Sequence, residues 1–207
     1  MTFIGDFEIA STYYKTVLPE ILNRVSELSN AKPLVFIGID GCGASGKSTF
    51  AAELSRSLES VEIIHFDDFY RSSLERSCFA GSKSVGWQFD WRRLEREVLT
   101  PLQMGSETNY LQYNWKTGCL ADWRNIRPRS VIIVEGIYTL RPELSRYYDL
   151  RLWIECPRDE RLKRGLKRDG ELARAQWEDD WMKEEEKYVA SCHPYLQAHK
   201  IIQGVPA

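Results

Sequence analysis

Residues 34–48 read LVFIGIDGCGASGKS, and this stretch determines the fold that the sequence predicts. Its first six residues, Leu34 to Ile39, form an unbroken apolar run, which is typical of a strand buried on both faces of a sheet. The pattern G-x-x-x-x-G-K-[ST] follows from Gly41 to Ser48, and a helical pattern begins near Lys47. Strand, glycine-rich loop and helix in this order predict a P-loop, a motif that binds nucleotide phosphates.

The residue types within this loop suit phosphate binding. Glycines let backbone N–H groups converge on an anion without side-chain interference, and the start of a helix adds partial positive charge. Lys47 is predicted to reach the β- and γ-phosphates of ATP, and the Ser48 hydroxyl to bind Mg²⁺. Cys42 is interpreted as a small filler and not as a nucleophile. The predicted nucleotide-binding residues are Gly41, Cys42, Gly43, Ala44, Ser45, Gly46, Lys47, Ser48 and Thr49.

Further short apolar runs predict a parallel sheet in an α/β domain, because helical patterns lie between most of them. A single domain over residues 1–207 is expected from this length. An amphipathic helix is predicted from about Ile9 to Leu28, within an N-terminal flank of residues 1–32. The other predicted strands are Val61–Phe66, Val131–Val134, Leu150–Ile154 and Lys200–Ile202.

Two segments do not fit a plain βα repeat. Residues 104–125 are predicted to hold an inserted hairpin that turns at Lys116–Gly118. Residues 158–182 are densely charged and are predicted to form a lid. Within the lid, Trp177 and Trp181 lie four residues apart and share one helical face, which indicates a core position or a subunit contact. A homo-oligomer is therefore left open.

Composition narrows the class of protein. A formal net charge of −2 makes the chain a poor candidate for nucleic-acid binding, which depends on many contacts from basic residues. Five scattered cysteines without a C-x-x-C pair indicate a reducing compartment. No signal peptide or membrane-spanning stretch is recognised, so we expect a cytoplasmic protein without a membrane partner. The three histidines, His65, His193 and His199, are interpreted as structural.

Carboxylates follow two of the predicted strands. Asp67 and Asp68 come after the second strand, and Glu135 comes after the third. In open α/β sheets, ligands collect at the carboxyl ends of the strands. A kinase that transfers a phosphoryl group to a hydroxyl needs one carboxylate to accept the proton and another to steady hydrated Mg²⁺. The sequence supplies candidates for both roles.

The order of these motifs resembles the uridine kinase / phosphoribulokinase-like family of P-loop kinases. The P-loop is followed by Asp67–Arg71, then by Phe89-Asp90, then by Val134–Gly136. The resemblance extends from about Leu34 to Ile202, and the D-x-F-Y element that begins at Asp67 is more specific than the P-loop. It implies a P-loop kinase fold, with a five-stranded parallel sheet in the order 2-3-1-4-5 flanked by helices.

The resemblance also implies roles for individual residues. Asp67 corresponds to the catalytic base, Tyr70 to a residue that lines the acceptor pocket, and Asp90 to the carboxylate that holds ribose hydroxyls. An arginine-bearing lid over the phosphates is matched by Arg161, Arg164 and Arg168. Aromatic residues around the hairpin could stack a planar base or could simply pack; they are Trp91, Tyr110, Tyr113 and Trp115.

The implied reaction is transfer of the γ-phosphoryl group of ATP to a small acceptor, with the 5′-hydroxyl of a ribonucleoside as the first candidate. The predicted catalytic residues are Lys47, Asp67, Arg164 and Arg168. Substrate contacts are predicted at Asp67, Tyr70, Asp90 and Tyr113, and Mg²⁺ contacts, direct or through water, at Ser48 and Glu135. Uridine kinases carry a pyrimidine-contacting histidine near the hairpin, and none occurs here. Nicotinamide riboside, pantothenate and glycerate stay open as acceptors, as does a nucleotide-dependent switch that hydrolyses ATP.

Overall fold

The computed structural model of the chain describes residues 14–79, 81 and 84–205. Five parallel strands form one sheet, and the strand that leads into the P-loop lies at its centre. Across the sheet the order is β2 (Val61–His65), β5 (Val131–Glu135), β1 (Val35–Asp40), β6 (Leu150–Glu155) and β7 (Lys200–Gln203). With the hairpin strands β3 (Thr108–Asn114) and β4 (Cys119–Ile126) set aside, this is the predicted order 2-3-1-4-5.

The apolar runs form the sheet because its central strands are buried on both faces. Every residue of β1 and β5 is buried. Their register pairs Ile39 with Glu135, and β2 pairs His65 with the same glutamate. The carboxyl ends of β1, β2 and β5 therefore lie side by side, as a parallel arrangement requires.

Helices cover both faces of the sheet. The described helices are α1 (Leu18–Ala31), α2 (Lys47–Arg56), α3 (Ser73–Phe79), α4 (Trp91–Leu94), α5 (Thr100–Gln103), α6 (Pro142–Ser145), α7 (Arg158–Asp169), α8 (Arg174–Gln176), α9 (Met182–Cys192) and α10 (Pro194–Gln197). Residues 66–69 and 171–173 form 3₁₀ turns, and residues 95–99 and 177–181 form π-helical turns. No helix in the described ranges has the length and apolar character that a bilayer span requires.

The N-terminal helix differs from its prediction. It begins at Leu18, after a turn at residues 15–17, and continues to Ala31. Pro19 occupies the first turn, where its missing N–H costs nothing and its fixed φ favours a helix start. The part of the prediction from Ile9 to residue 13 lies outside the described residues.

The two irregular segments lie at the carboxyl edge of the sheet. The hairpin is confirmed and spans residues 108–126, and Tyr110 packs on Phe69 at a ring distance of 4.8 Å. The charged segment is helical from α7 through α9. Trp177 is buried, and its ring lies 5.1 Å from that of Trp181. The core interpretation therefore holds for Trp177.

Candidate active site

The phosphate loop joins β1 to α2 and has the backbone shape of an anion-binding nest. Ala44 and Gly46 both have positive φ angles, of 59° and 106°. Left-handed residues of this kind turn successive N–H groups towards one concave surface. A side chain at Gly46 would also clash, because an added Cβ would lie 2.5 Å from the Tyr14 hydroxyl. The φ angle and the close approach of Tyr14 both favour glycine at position 46, and the loop has the backbone shape expected of a phosphate cradle.

Lys47 and Ser48 begin α2 at the C-terminal end of this loop. The buried Lys47 ammonium donates to the Cys42 carbonyl oxygen at 2.9 Å. The Ser48 hydroxyl lies 3.1 Å from each carboxylate oxygen of Glu135. A hydroxyl beside a carboxylate is the hard oxygen donor set that suits Mg²⁺, which keeps its remaining ligands as water and phosphate oxygens. The residues present therefore fit the implied metal.

Cys42 is unsuited to nucleophilic chemistry. Burial and the nearby Glu185 carboxylate raise the pKa of its thiol to about 12. The thiolate is the reactive form of cysteine. The geometry agrees with the interpretation of this residue as a filler.

His65, which the sequence did not mark as a site residue, lies beside one of the predicted Mg²⁺ contacts. Its Nδ1 lies 2.5 Å from Glu135 Oε1, the oxygen that also faces Ser48. This hydrogen bond raises the pKa of His65, while burial opposes the change. A prediction of strand register, in addition to strand order, would have placed the histidine next to the glutamate.

Asp67 lies just after the end of β2, on the same edge of the sheet as Glu135. The residue is exposed, and its carboxylate has no hydrogen-bond or ion-pair partner among the residues that the structure describes. Crowding by the surrounding protein and repulsion from Glu135 raise the pKa of Asp67, and Lys47 and Arg168 partly offset them. Because the carboxylate is accessible, solvent water weakens the effects of burial and of these neighbouring charges on its pKa. An unpaired carboxylate with a raised pKa is well placed to accept a proton.

Asp68, in contrast, is buried, and one of its carboxylate oxygens has several partners. Its Oδ2 accepts hydrogen bonds from the Tyr110 hydroxyl at 2.8 Å and the Gln112 amide at 3.0 Å. Arg124 lies 3.8 Å from the same oxygen, and Arg93 donates to the Asp68 carbonyl at 2.7 Å. Asp68 therefore anchors the hairpin to the end of β2.

The structure brings Tyr70 and Tyr113 together, with their ring centroids 5.1 Å apart. Tyr70 stacks on Trp115 at a ring distance of 4.8 Å, and Tyr113 meets both rings edge-on. The Arg76 guanidinium lies 4.7 Å from the Tyr70 ring and donates to the Tyr113 hydroxyl at 3.2 Å. Trp115 remains 54% exposed. Tyr70 and Tyr113 are themselves largely buried, so Trp115 supplies most of the accessible surface of this cluster.

The other two candidate aromatic residues pack elsewhere. Tyr110 is fully buried against Phe69 and Asp68. The Trp91 ring packs against Arg141, whose guanidinium carbon lies 4.9 Å from the ring centroid. Neither side chain belongs to the surface around Tyr70.

Asp90 caps α4 and is tied to the loop that carries Asp67. Its Oδ1 accepts from the Arg93 N–H at 3.2 Å, and its Oδ2 from Arg71 at 3.0 Å. Its own N–H donates to the Phe69 carbonyl at 2.8 Å. Each carboxylate oxygen has capacity for a further hydrogen bond. Asp90 can therefore still bind a ligand, but it is less free than the sequence suggested.

The three arginines of α7 have different environments. Arg164 pairs with Glu160 at 3.0 Å and lies near the phosphate loop, 4.0 Å from the position that a Cβ at Gly46 would take. Arg168 is exposed and pairs with the adjacent Asp169. Arg161 is buried, and its guanidinium pairs with the buried Glu185 carboxylate at 2.7 Å. The lid expectation thus fits the positions of Arg164 and Arg168, and Arg161 is a correction to it.

The sequence also did not indicate the role of Asp40, a buried acidic residue beside the phosphate loop. Asp40 accepts hydrogen bonds from the N–H groups of Gly41 and Leu140, at 2.6 and 2.7 Å, and from the Tyr188 hydroxyl at 2.6 Å. Burial raises the pKa of Asp40 to about 6, although these hydrogen bonds oppose the rise. Asp40 is a charged residue at the end of a strand that is buried on both faces, and this position in the sequence could have indicated a buried acidic group.

Comparison with known proteins agrees with this geometry. The uridine kinase of Shewanella amazonensis is 31% identical over 153 residues, which cover 68% of this chain and 71% of that protein. The uridine kinase of Ureaplasma parvum is 29% identical over 148 residues, with the same coverage. A solved structure, described as a possible uridine kinase from Bacillus stearothermophilus, shares the fold with a TM-score of 0.63, at 21% identity over 88% of this chain and 99% of that one. The model of the phosphoribulokinase / uridine kinase family matches residues 36–207, and the chain belongs to that family.

Proposed function

We propose that the chain is an ATP-dependent kinase that phosphorylates a hydroxyl of a small molecule, the 5′-hydroxyl of a ribonucleoside being the leading candidate. The observation that carries the proposal is the unpaired Asp67 carboxylate, on the same edge of the sheet as Lys47, Ser48 and Glu135. A phosphate cradle and a free base on one rim are the two parts that transfer to a hydroxyl requires.

The phosphate side of the proposed reaction depends on fixed positive charge. Lys47 would exchange its contact with the Cys42 carbonyl for the β- and γ-phosphates. Arg164 and Arg168 would stabilise the charge that develops as the phosphoryl group leaves. Mg²⁺, when bound, neutralises charge on the phosphate oxygens. Ser48 and Glu135 would hold it, directly or through water.

The acceptor side begins at Asp67. Its carboxylate would accept the proton of the attacking hydroxyl, and the raised pKa makes it a stronger base than an ordinary aspartate. Tyr70 and Tyr113 would contact the body of the acceptor, and Asp90 would accept hydrogen bonds from two vicinal ribose hydroxyls. The identity to uridine kinases, at about 30%, supports a nucleoside acceptor.

The test measures ADP formation with a panel of acceptors: uridine, cytidine, their 2′-deoxy forms, nicotinamide riboside, pantothenate and glycerate. We expect turnover with ribonucleosides, and ten- to hundredfold lower efficiency with the deoxy forms, since charge-assisted hydrogen bonds contribute about 1.5–3 kcal/mol. Without the pyrimidine-contacting histidine, uridine and cytidine should react at similar rates. Lys47→Ala serves as the control for contaminating activity.

A matched pair of variants tests the ribose contact. Asp90→Asn should reduce the preference for ribosides over deoxyribosides. Asp122→Asn makes the same change at an exposed position within the hairpin strand β4 and should leave the preference unchanged. Equal rates with ribo and deoxyribo forms would remove Asp90 from its role. A response only to pantothenate or glycerate would retain the kinase and discard the nucleoside, and acceptor-independent ADP release would indicate a switch ATPase.

A further inference from the structure

Helix α9 holds the phosphate loop through two buried side chains that lie three residues apart on one helical face. Glu185 Oε1 accepts a hydrogen bond from the Gly43 N–H at 2.8 Å. Tyr188 donates its hydroxyl hydrogen to Asp40 at 2.6 Å, and Asp40 accepts from the Gly41 N–H at 2.6 Å. The first half of the loop is therefore fixed at two points from a helix that follows it by more than a hundred residues.

The same carboxylate connects the loop to the arginine-bearing helix α7. Glu185 Oε2 accepts from Arg161 at 2.7 Å, and both side chains are buried. Arg161 also donates to the Cys156 carbonyl at 3.2 Å. A buried ion pair is retained only with good geometry, and removal of one partner leaves an uncompensated charge. The pair therefore fixes the orientation of the carboxylate, and through it the Gly43 amide.

Packing around this contact leaves little room for the loop to move. A Cβ at Gly43 would lie 2.7 Å from Glu185 Oε1 and 3.1 Å from the Trp177 ring. A Cβ at Gly165, on α7, would lie 2.5 Å from the same tryptophan. Loop, α7 and the turn before α9 are thus in close contact around Trp177, which excludes water from the Glu185 contacts.

We propose that Glu185 is a positioning residue for nucleotide binding: its carboxylate fixes the Gly43 end of the phosphate loop, and Arg161 and Tyr188 support it. With the Gly43 end held in this way, the other backbone N–H donors of the phosphate loop need no reorganisation when the phosphates arrive. Arg161 also balances a negative charge that would otherwise lie beside a phosphate site. The proposal rests on the nucleotide binding of the proposed function and is independent of the acceptor's identity.

Two double variants separate the loop contact from the ion pair. Arg161→Met/Glu185→Gln removes both charges but keeps an oxygen acceptor for the Gly43 N–H. Arg161→Met/Glu185→Met removes the acceptor as well. Calorimetric titration with Mg·ATP, without any acceptor, should give an affinity within about threefold of wild type for the first and about tenfold weaker for the second, as expected for one lost hydrogen bond.

A control pair lies on the same two helices. Arg158 and Glu186 form an exposed ion pair at 3.2 Å. Arg158→Met/Glu186→Gln should bind Mg·ATP like the wild type, because this pair does not contact the loop. A merely structural role for Glu185 would lower the thermal stability of both Arg161/Glu185 double variants equally and leave their affinities alike.

Equal affinities of the two folded double variants would therefore overturn the proposal. If either variant does not fold, Tyr188→Phe decides, because it removes only the hydroxyl that holds Asp40. We expect it to bind Mg·ATP about three- to tenfold more weakly, and wild-type affinity would reject the role of α9. Since no acceptor is present, either result is independent of the ribonucleoside assay. Failure of the wild type itself to bind Mg·ATP would instead reject the proposed function.

Discussion

Asparagine substitutions at the neighbouring residues Asp67 and Asp68 should have opposite consequences. Asp67→Asn keeps the shape of the side chain but removes the proton acceptor, so kcat should fall by about 10²–10⁴ with little change in ATP affinity. The free energy of unfolding should stay the same or rise, since this carboxylate has no partner among the described residues and is repelled by Glu135.

Asp68→Asn should instead reduce stability. Its Oδ2 accepts two hydrogen bonds, from Tyr110 and Gln112, and the substitution makes both of them neutral. A hydrogen bond to a charged group contributes about 1.5–3 kcal/mol and a neutral one about 0.5–1.5 kcal/mol. The loss over two bonds is about 2 kcal/mol, before any change in the longer contact with Arg124 at 3.8 Å. We expect a much smaller fall in kcat than for Asp67→Asn, because the Asp68 carboxylate is buried against the hairpin and is not the proposed proton acceptor.

The two variants control for each other, because the chemical change is identical and the residues are adjacent. Urea denaturation measures the free energy of unfolding, and single-turnover phosphoryl transfer to the best acceptor measures the chemical step. A larger loss of the chemical step in Asp68→Asn, with its stability intact, would reverse the two roles. A drop in ATP affinity for Asp67→Asn, with kcat unchanged, would show that Asp67 acts on the nucleotide and not on the acceptor.

Three further predictions concern charge at the site. Lys47→Ala should abolish phosphoryl transfer and leave the circular dichroism spectrum unchanged, because the ammonium acts on phosphates; retention of more than about a tenth of wild-type turnover would contradict the assignment of the loop. The acid limb of kcat/KM against pH should lie at higher pH than for an ordinary aspartate, since Asp67 must be deprotonated and its pKa is raised. Arg168→Ala should move the limb to still higher pH, because Arg168 lowers that pKa; an unmoved limb would exclude Asp67 as the titrating base. Tyr188→Phe should raise the pKa of Asp40 further above about 6, because the tyrosine hydrogen bond lowers it; a carbon-13 titration of the Asp40 carboxyl would show no shift if the contact is weak.

The sequence predicts the sheet and the phosphate loop because their signals are local. An apolar run, a glycine pattern and a helix start occupy residues 34–48 without a gap, and the structure places β1, the loop and α2 there. The carboxylates Asp67 and Glu135 follow from strand ends in the same way, since the ends of parallel strands meet at one edge. The order of the strands in the sheet was then predicted from the family resemblance.

Contacts between distant segments could not be predicted in this way. Helical spacing places Glu185 and Tyr188 on one face of α9, but nothing in the spacing indicates that this face meets Gly43, which lies 142 residues earlier. The partner of His65 is 70 residues away and depends on the register of two strands. For the same reason the sequence did not distinguish Arg161, which is buried, from the more accessible Arg164 and Arg168.

The different environments of Asp67 and Asp68 follow from the turn that contains them. Residues 66–69 form a 3₁₀ turn, in which side chains three apart lie on the same face and adjacent ones diverge by about 120°. Phe66 and Phe69 are both fully buried, which fixes that face towards the core. Asp68 is held on a second face by the Tyr110 hydroxyl. The third face is left for Asp67, so the turn that buries one carboxylate against the hairpin leaves the other exposed to solvent.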